Sequence, residues 1–328
     1  MELILLFLSV VAAGVPMVSY LLLMRWLDRY EREPLGLVIA AFAWGGVGAV
    51  LLSVIGSLIL SLPIGIATDE KTAMFLSVSI VAPLVEEPAK ALILLLLYRS
   101  RQFDNATDGF VYGAAAGLGF GMSENFLYFA STASQGVGAW FIVVIMRTLF
   151  TGLMHACATS MVGAALGWAK FSTSPRRKLV LPLSLLAAMA MHALWNGLAM
   201  APMVFEAGAA LPLISFLLFP LEFIALFIVF QVSLMSESSL IRRELLEEAA
   251  LGTLPKDHVE HFSRWSARRN HARWTPAGVD GARYVELGTL LAFRRSQRTA
   301  RPEDPYYTDE VTRLRAALQG LFSERPEP

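Results

Sequence analysis

The chain has a single cysteine, Cys157, and few charged residues for its length. One thiol cannot form an intrachain disulfide, which excludes a cystine-stabilised scaffold. The 27 basic and 27 acidic side chains cancel, so no net positive field favours nucleic acid as a partner. Only 16% of the 328 residues are charged, whereas 55% are hydrophobic and the mean hydropathy is +0.55. Soluble domains are about one quarter charged, so this composition predicts a protein embedded in a lipid bilayer.

Long apolar stretches account for this composition. A bilayer core about 30 Å thick requires about 20 apolar residues in a helix. Seven stretches reach that length: 3–24, 35–62, 72–97, 109–131, 138–168, 179–203 and 209–235. Residues 1–235 contain 25 of the 54 charged side chains, and the last 93 residues contain the other 29. The sequence therefore predicts an all-α polytopic protein with a transmembrane core, 1–235, and a small cytoplasmic helical appendix, 236–328.

Basic residues are concentrated in alternate connections between these stretches. Positively charged loops tend to stay in the cytoplasm. The first, third and fifth connections contain nine basic residues: Arg25, Arg29, Arg32, Arg99, Arg101, Lys170, Arg176, Arg177 and Lys178. The intervening connections contain only Lys71. This alternation predicts seven spans in the cell membrane, with the N-terminus outside and the C-terminus in the cytoplasm.

Polar side chains interrupt four of the apolar stretches. They are Glu86, Glu87 and Lys90 in the third, Glu124 and Asn125 in the fourth, His155 in the fifth, and His192 and Asn196 in the sixth. A charge at the centre of a span costs about 2.5–3.5 kcal/mol to insert, so these residues are expected to face one another or water. Glu86, His155 and His192 fall within about 2–4 Å of the middle of their spans. Similar depths in separate helices predict one buried polar site.

The spacing of these residues indicates chemistry. Lys90 follows Glu87 by three residues and Glu86 by four, so its ammonium can reach both carboxylates on one helix face. Two adjacent carboxylates in a low dielectric cannot both stay ionised cheaply, so one of them is expected to act as a general base. His192 and Asn196 are four residues apart and offer an imidazole and an amide N–H to one small volume. Such donors can stabilise an oxyanion.

Two further residues within the apolar stretches have open roles. Arg147 in the fifth stretch and Glu222 in the seventh are interpreted as buried ion-pair partners or as side chains that reach the interface. Pro83 and Pro88 flank the two adjacent glutamates, and prolines predict a kinked or locally opened helix there. The fourth stretch is rich in glycine, which permits close helix approach or a water-filled gap.

These motifs resemble those of a known family. Glu86-Glu87-Pro88-Ala89-Lys90 matches the pattern EExxK, and Phe120-Gly121-Met122-Ser123-Glu124-Asn125 matches FxxxEN. With His155 and the His192-xxx-Asn196 pair, they resemble the PrsW family of intramembrane proteases. The resemblance covers about residues 70–200 by motif and the seven-span core by layout. It implies that a glutamate-activated water hydrolyses a peptide bond in a membrane-protein substrate.

The resemblance also implies residue roles. Glu86 or Glu87 would be the base. From the residues alone, Lys90 and Asn125 are expected to support the site, and Asn125 is interpreted as a packing hydrogen-bond donor to the third stretch. Glu124 and His155 would orient the water or bind a metal, and His192 with Asn196 would stabilise the oxyanion. The related CAAX prenyl endopeptidases have histidine where this chain has Glu124, which leaves that role open.

Cofactor and substrate follow from the same resemblance. Family members are commonly labelled metalloproteases, so zinc is a candidate cofactor, with Glu124, His155 and His192 as ligands. A metal-free glutamate mechanism is the alternative. Founding members cleave anti-sigma factors, which makes a single-span membrane protein the leading substrate class. The residues alone also leave open a proton-coupled secondary transporter that uses the same glutamates and histidines as a relay.

Overall fold

The computed structural model describes residues 1–205 and 210–323, and within those ranges it contains helices and no strands. Seven long helices come first: α1 Glu2–Leu27, α2 Leu35–Ala67, α3 70–97, α4 Ala106–Thr132, α5 Val137–Lys170, α6 Arg177–Met200 and α7 Leu211–Ala250. Four further helices follow: α8 Val259–Ser263, α9 Trp265–Arg269, α10 Gly281–Ala300 and α11 Pro305–Ser323. The prediction of an all-α fold is confirmed.

Five of the long helices, α1, α2, α5, α6 and α7, are long and apolar enough to cross a membrane. The chain is therefore a multi-pass membrane protein. The two remaining predicted spans, 72–97 and 109–131, are helical as α3 and α4 and carry Glu86, Glu87, Lys90 and Glu124. The first residue of the predicted span 209–235 lies outside the described residues. From Leu211 this span continues as one helix to Ala250, because no glycine or proline occurs between Pro220 and Gly252.

Three of the long helices contain a π-helical turn. These turns are Trp44–Ala49 in α2, Ser77–Val81 in α3 and Arg147–Thr151 in α5. A π-helical turn closes i→i+5 hydrogen bonds and so holds one residue more than an α-helical turn. The turn in α3 directly precedes Pro83, which has no N–H to continue the α-helical pattern. The irregular turn of α3 therefore lies at 77–81, before both prolines, whereas the predicted position beside Glu86 and Glu87 is α-helical.

The chain forms two compact units. The first unit comprises Met1–Leu27, Glu33–Lys170 and Ser174–Phe230; the second comprises Asp28–Arg32, Phe171–Thr173 and the chain from Gln231 onward. The second unit has an apolar core that includes Ile241, Leu245, Phe262, Tyr284, Leu291 and Leu314. Residues 28–32 pack within it, since the Tyr30 hydroxyl donates to the Ser263 carbonyl at 2.9 Å and Arg268 donates to the Tyr30 carbonyl at 2.7 Å.

The first unit is built around α4, whose Val111, Leu118 and Tyr112 are fully buried. Glycines allow α4 and α5 to approach each other closely. A Cβ added at Gly117 of α4 would lie 2.6 Å from the carbonyl carbon of His155, and a Cβ added at Gly163 of α5 would lie 2.7 Å from the carbonyl carbon of Gly109. Because real Cβ atoms do not come so close to backbone, larger residues would separate these helices. This contact holds the backbone of His155 against α4.

Candidate active site

Lys90 connects three of the helices at the centre of the first unit. Its ammonium donates to Glu87 Oε1 at 2.5 Å, and its Nζ lies 3.1 Å from His155 Nδ1. Both side chains of the Lys90–Glu87 pair are fully buried. The ammonium also lies 4.6 Å from the centre of the Phe120 ring, within range of a cation–π contact. A buried charge is tolerated only when it is paired and hydrogen-bonded, and Lys90 meets this condition through α3, α4 and α5.

The hydrogen bonds of His155 define its tautomer. An ammonium can only donate, so Nδ1 of His155 accepts from Lys90. A neutral ring then carries its proton on Nε2, which lies 2.6 Å from Glu124 Oε2 and donates to it. His155 is fully buried, whereas the Glu124 side chain is 23% exposed. Both ring nitrogens of His155 are therefore engaged in hydrogen bonds.

His192 of α6 lies between the two adjacent glutamates. Its Nδ1 is 2.8 Å from Glu87 Oε1, and because an ionised carboxylate only accepts, Nδ1 carries the proton. Its Nε2 points towards Glu86 Oε2 at 3.8 Å, which is too long for a hydrogen bond. The rings of His155 and His192 meet nearly at right angles, with their centres 4.9 Å apart. Glu86, Glu87, Glu124, His155 and His192 are thus brought together, as the depth argument predicts.

The two adjacent glutamates have different surroundings. Glu87 is buried and accepts from both Lys90 and His192. In the part of the chain that the structure describes, Oε2 of each glutamate is buried without a hydrogen-bond partner, but Glu86 is 14% exposed and lacks the close bonds that Glu87 makes through Oε1. A buried polar atom without a partner is unusual and calls for an explanation by function, water or an ion. Glu86 is consequently the carboxylate of this cluster best placed to meet a further molecule.

The two amide residues lie at opposite edges of the cluster. Asn196 donates from Nδ2 to the Val78 carbonyl at 3.0 Å, within the π-helical turn of α3. This bond uses one of its two N–H groups and leaves the second for another acceptor. Asn125 is fully buried and accepts at Oδ1 from Arg147 Nε at 3.0 Å. Asn125 therefore contacts α5 instead of α3.

Arg147 is the site residue whose place the sequence does not define. Its Nη2 lies 2.9 Å from Glu124 Oε2, so of the two interpretations left open, the ion pair is the one that the structure contains. A charged residue inside an apolar stretch is a signal that it has a partner. Its spacing of eight residues from His155 is only a weak sign of a shared partner, because eight residues of a regular α-helix leave the two side chains about 80° apart.

Three side chains of the cluster also form a candidate metal site. Glu86, His155 and His192 each offer a ligand atom, and these atoms all lie within 4.8 Å of one another. One carboxylate and two imidazoles are a ligand set that catalytic zinc uses. The partnerless Glu86 Oε2 is an atom that a cation would satisfy. Glu124, expected from the sequence as a ligand, is bonded to His155 and is not part of this group.

The chain also matches known proteins. Residues 33–230 match the family described as "PrsW family intramembrane metalloprotease". Over 168 residues the chain is 32% identical to Protease PrsW of Geobacillus kaustophilus (strain HTA426). The aligned region covers 51% of this chain and 68% of that relative. Over 183 residues it is 32% identical to Protease PrsW of Bacillus subtilis (strain 168). This aligned region covers 56% of this chain and 77% of the relative. No solved structure matches the chain.

Proposed function

Because this chain belongs to the PrsW family and is an intramembrane protease, we propose that it cleaves a single-span membrane protein, such as an anti-sigma factor, with a water activated by Glu86. The observation that carries this proposal is that Glu86 Oε2 and His192 Nε2 face each other without a hydrogen bond between them. The two atoms are 3.8 Å apart, which suits a water that donates one hydrogen bond to each. A water held in this way is positioned to attack a carbonyl carbon.

Glu86 is assigned as the base in preference to Glu87. A general base must be able to take up a proton, and the charge of Glu87 is already balanced by Lys90 at 2.5 Å and by the Nδ1 proton of His192 at 2.8 Å. Glu86 has no comparably close cation, since its contact to His192 is 3.8 Å long. Glu87 instead holds Lys90 and His192 in position, and Lys90 in turn holds His155.

The proposed reaction proceeds through a tetrahedral intermediate. The oxygen of the water bonds to the carbonyl carbon while Glu86 takes its proton, and that proton passes to the leaving nitrogen when the C–N bond breaks. The second N–H of Asn196 is available to the oxyanion, whereas His192, whose proton is on Nδ1, holds the water as an acceptor at Nε2. Glu124 acts on His155 and does not contact the water.

Zinc is proposed as a cofactor that the same residues would hold. Glu86, His155 and His192 would be its ligands, and this is the alternative to the metal-free arrangement in which Glu86 and His192 hold the water directly. Bound zinc would lower the pKa of a coordinated water and polarise the substrate carbonyl. Elemental analysis of the purified protein tests this: a zinc site predicts about one zinc per chain, lost in His192→Ala. Equal zinc content in the two proteins would contradict these ligands.

The arrangement in the membrane is also part of the proposal. Residues 1–235 are the protease core and 236–328 the cytoplasmic appendix, with the N-terminus outside the cell and seven spans. The alternation of basic residues between connections supports this orientation. Glu86, His155 and His192 then lie at the depth of the bilayer midplane, where a transmembrane segment of the substrate can reach them.

Accumulation of uncleaved substrate in cells tests the function. A bacterium that lacks its own copy of the protein is supplied with the wild type, Glu86→Gln or Glu70→Gln, and its membrane proteins are quantified by mass spectrometry. We expect at least one single-span membrane protein to accumulate at full length with Glu86→Gln and to appear shortened with the wild type. Glu70 is exposed in the first turn of the same helix, so Glu70→Gln is the matched control. Identical fragment patterns in all three strains would overturn the proposal.

A further inference from the structure

Arg147 contacts three residues of α4, one of which is Glu124. Its Nη2 pairs with Glu124 Oε2 at 2.9 Å, and its Nε donates to Asn125 Oδ1 at 3.0 Å. Its guanidinium carbon lies 3.7 Å from the centre of the Tyr128 ring, a stacked arrangement that suits arginine and not lysine. Three contacts within about one turn of α4 therefore fix one side chain of α5. The Arg147 side chain is 13% exposed, and at this burial an ion pair is only weakly screened.

Arg147 and His155 meet the same oxygen atom. His155 Nε2 donates to Glu124 Oε2 at 2.6 Å, the atom that pairs with Arg147. In a regular α-helix, positions seven apart differ by about 20° around the axis, whereas positions eight apart differ by about 80°. The π-helical turn Arg147–Thr151 inserts one residue between them. This extra residue brings positions 147 and 155 onto one face, where both can reach Glu124.

We propose that Arg147 is a positioning residue, set in register by the π-helical turn, which fixes the Glu124 carboxylate so that this carboxylate orients His155. The inference rests on the proposed function, because the orientation of His155 in the proposed active site is what gives Glu124 a role. With Arg147 and His155 on one oxygen, Glu124 is held away from the reacting atoms. His155 is then held between Glu124 and Lys90 with its proton on Nε2.

Variants at Arg147 separate this role from plain packing. The readout is the cleaved fraction of the single-span protein that accumulates with Glu86→Gln. Loss of a residue that orients a site group typically lowers activity by about 10–100-fold, and we expect this of Arg147→Gln. Arg147→Lys keeps the charge and should cleave faster than Arg147→Gln. The exchange Arg147→Thr with Thr148→Arg preserves composition but turns the guanidinium off the face, and it should be as slow as Arg147→Gln.

A double variant tests whether Arg147 acts through Glu124. If it does, Arg147→Gln with Glu124→Gln should be no slower than Glu124→Gln alone, since the effects of residues that act as a unit are not additive. A double variant about tenfold slower than Glu124→Gln would overturn the inference, as would an exchange variant with wild-type cleavage. Arg176→Gln, at an exposed loop arginine, is the control. If Glu86→Gln cleaves normally, the proposed function fails; if Glu86→Gln is inactive and Arg147→Gln is normal, only this inference fails.

A second readout does not depend on cleavage. In the purified full chain labelled with ¹⁵N-histidine, the Nε2–H proton of His155 is expected to give a resonance protected from exchange with water. His155→Gln identifies this resonance among the five histidines. Arg147→Gln should shift it and accelerate its exchange, because the Glu124 carboxylate is then free to turn, whereas Arg147→Lys should change it less. An unchanged resonance in Arg147→Gln would contradict the positioning role.

Discussion

Glu86→Gln is expected to lower the rate of substrate cleavage by about 10²–10⁴-fold, the contribution that a positioned general base typically makes. The amide has nearly the same shape as the carboxylate but cannot take the proton of the water. Because Glu86 Oε2 has no hydrogen-bond partner among the described residues, the change breaks no existing bond. The melting temperature of the purified protein should therefore stay within error of the wild type.

Unlike Glu86→Gln, which should leave stability unchanged, Glu87→Gln should lower the free energy of unfolding. The Lys90–Glu87 pair is fully buried, and removal of one member of such a pair costs about 3–5 kcal/mol because the other charge is left uncompensated. Replacement of both members, in Glu87→Gln with Lys90→Met, should recover most of the lost stability. Thermal unfolding in detergent, with yield after membrane extraction, measures both effects.

This contrast between neighbouring residues distinguishes their roles. If Glu86→Gln melted several degrees lower while Glu87→Gln kept its stability, the assignment of base and structural anion would be reversed. Equal loss of cleavage without loss of stability in both variants would mean that both carboxylates take part in the chemistry.

Gly117→Ala is expected to damage both stability and activity, although the change adds one methyl group. The new Cβ would lie 2.6 Å from the carbonyl carbon of His155, so α4 and α5 must separate. Overpacking of this kind costs about 1–3 kcal/mol. A displacement of about 1 Å in a catalytic group can lower the rate by about 10²-fold, and the shift would occur where His155 meets Glu124.

Gly14→Ala is the matched control, because it is a glycine-to-alanine change within another long helix of the first unit, α1. No atom lies within 4 Å of the Cβ position at Gly14, and alanine favours helix by about 1 kcal/mol over glycine. Its stability should equal or exceed that of the wild type, with cleavage unchanged. Equal behaviour of Gly117→Ala and Gly14→Ala in melting and cleavage assays would show that close contact between α4 and α5 is not required.

Local spacing and span depth predict much of the site. The three- and four-residue spacing of Glu87 and Glu86 from Lys90 indicates a shared face, although of these two glutamates it is Glu87 to which Lys90 bonds in the structure. The similar depths of Glu86, His155 and His192 predict their meeting across helices. These inferences succeed because a membrane-spanning helix has a fixed rise per residue and few places for a charge.

Other features depend on contacts that the sequence does not reveal. The shared oxygen of Arg147 and His155 requires a π-helical turn, which hydropathy and motif spacing do not predict. The different roles of Glu86 and Glu87 depend on where α6 places His192. The bond from Asn196 to the Val78 carbonyl likewise occurs at a π-helical turn. In the first and the third of these cases the backbone departs from the regular helix that sequence patterns assume.

Cleavage by purified components tests the central claim most directly. The wild type and Glu86→Gln are each reconstituted in liposomes with the single-span protein that accumulates in cells, and the new chain ends are identified by mass spectrometry. We expect the wild type to cut one peptide bond within or beside the transmembrane segment and Glu86→Gln to leave the protein intact. Cleavage of the same bond by Glu86→Gln at the wild-type rate would show that the hydrolytic water is activated elsewhere.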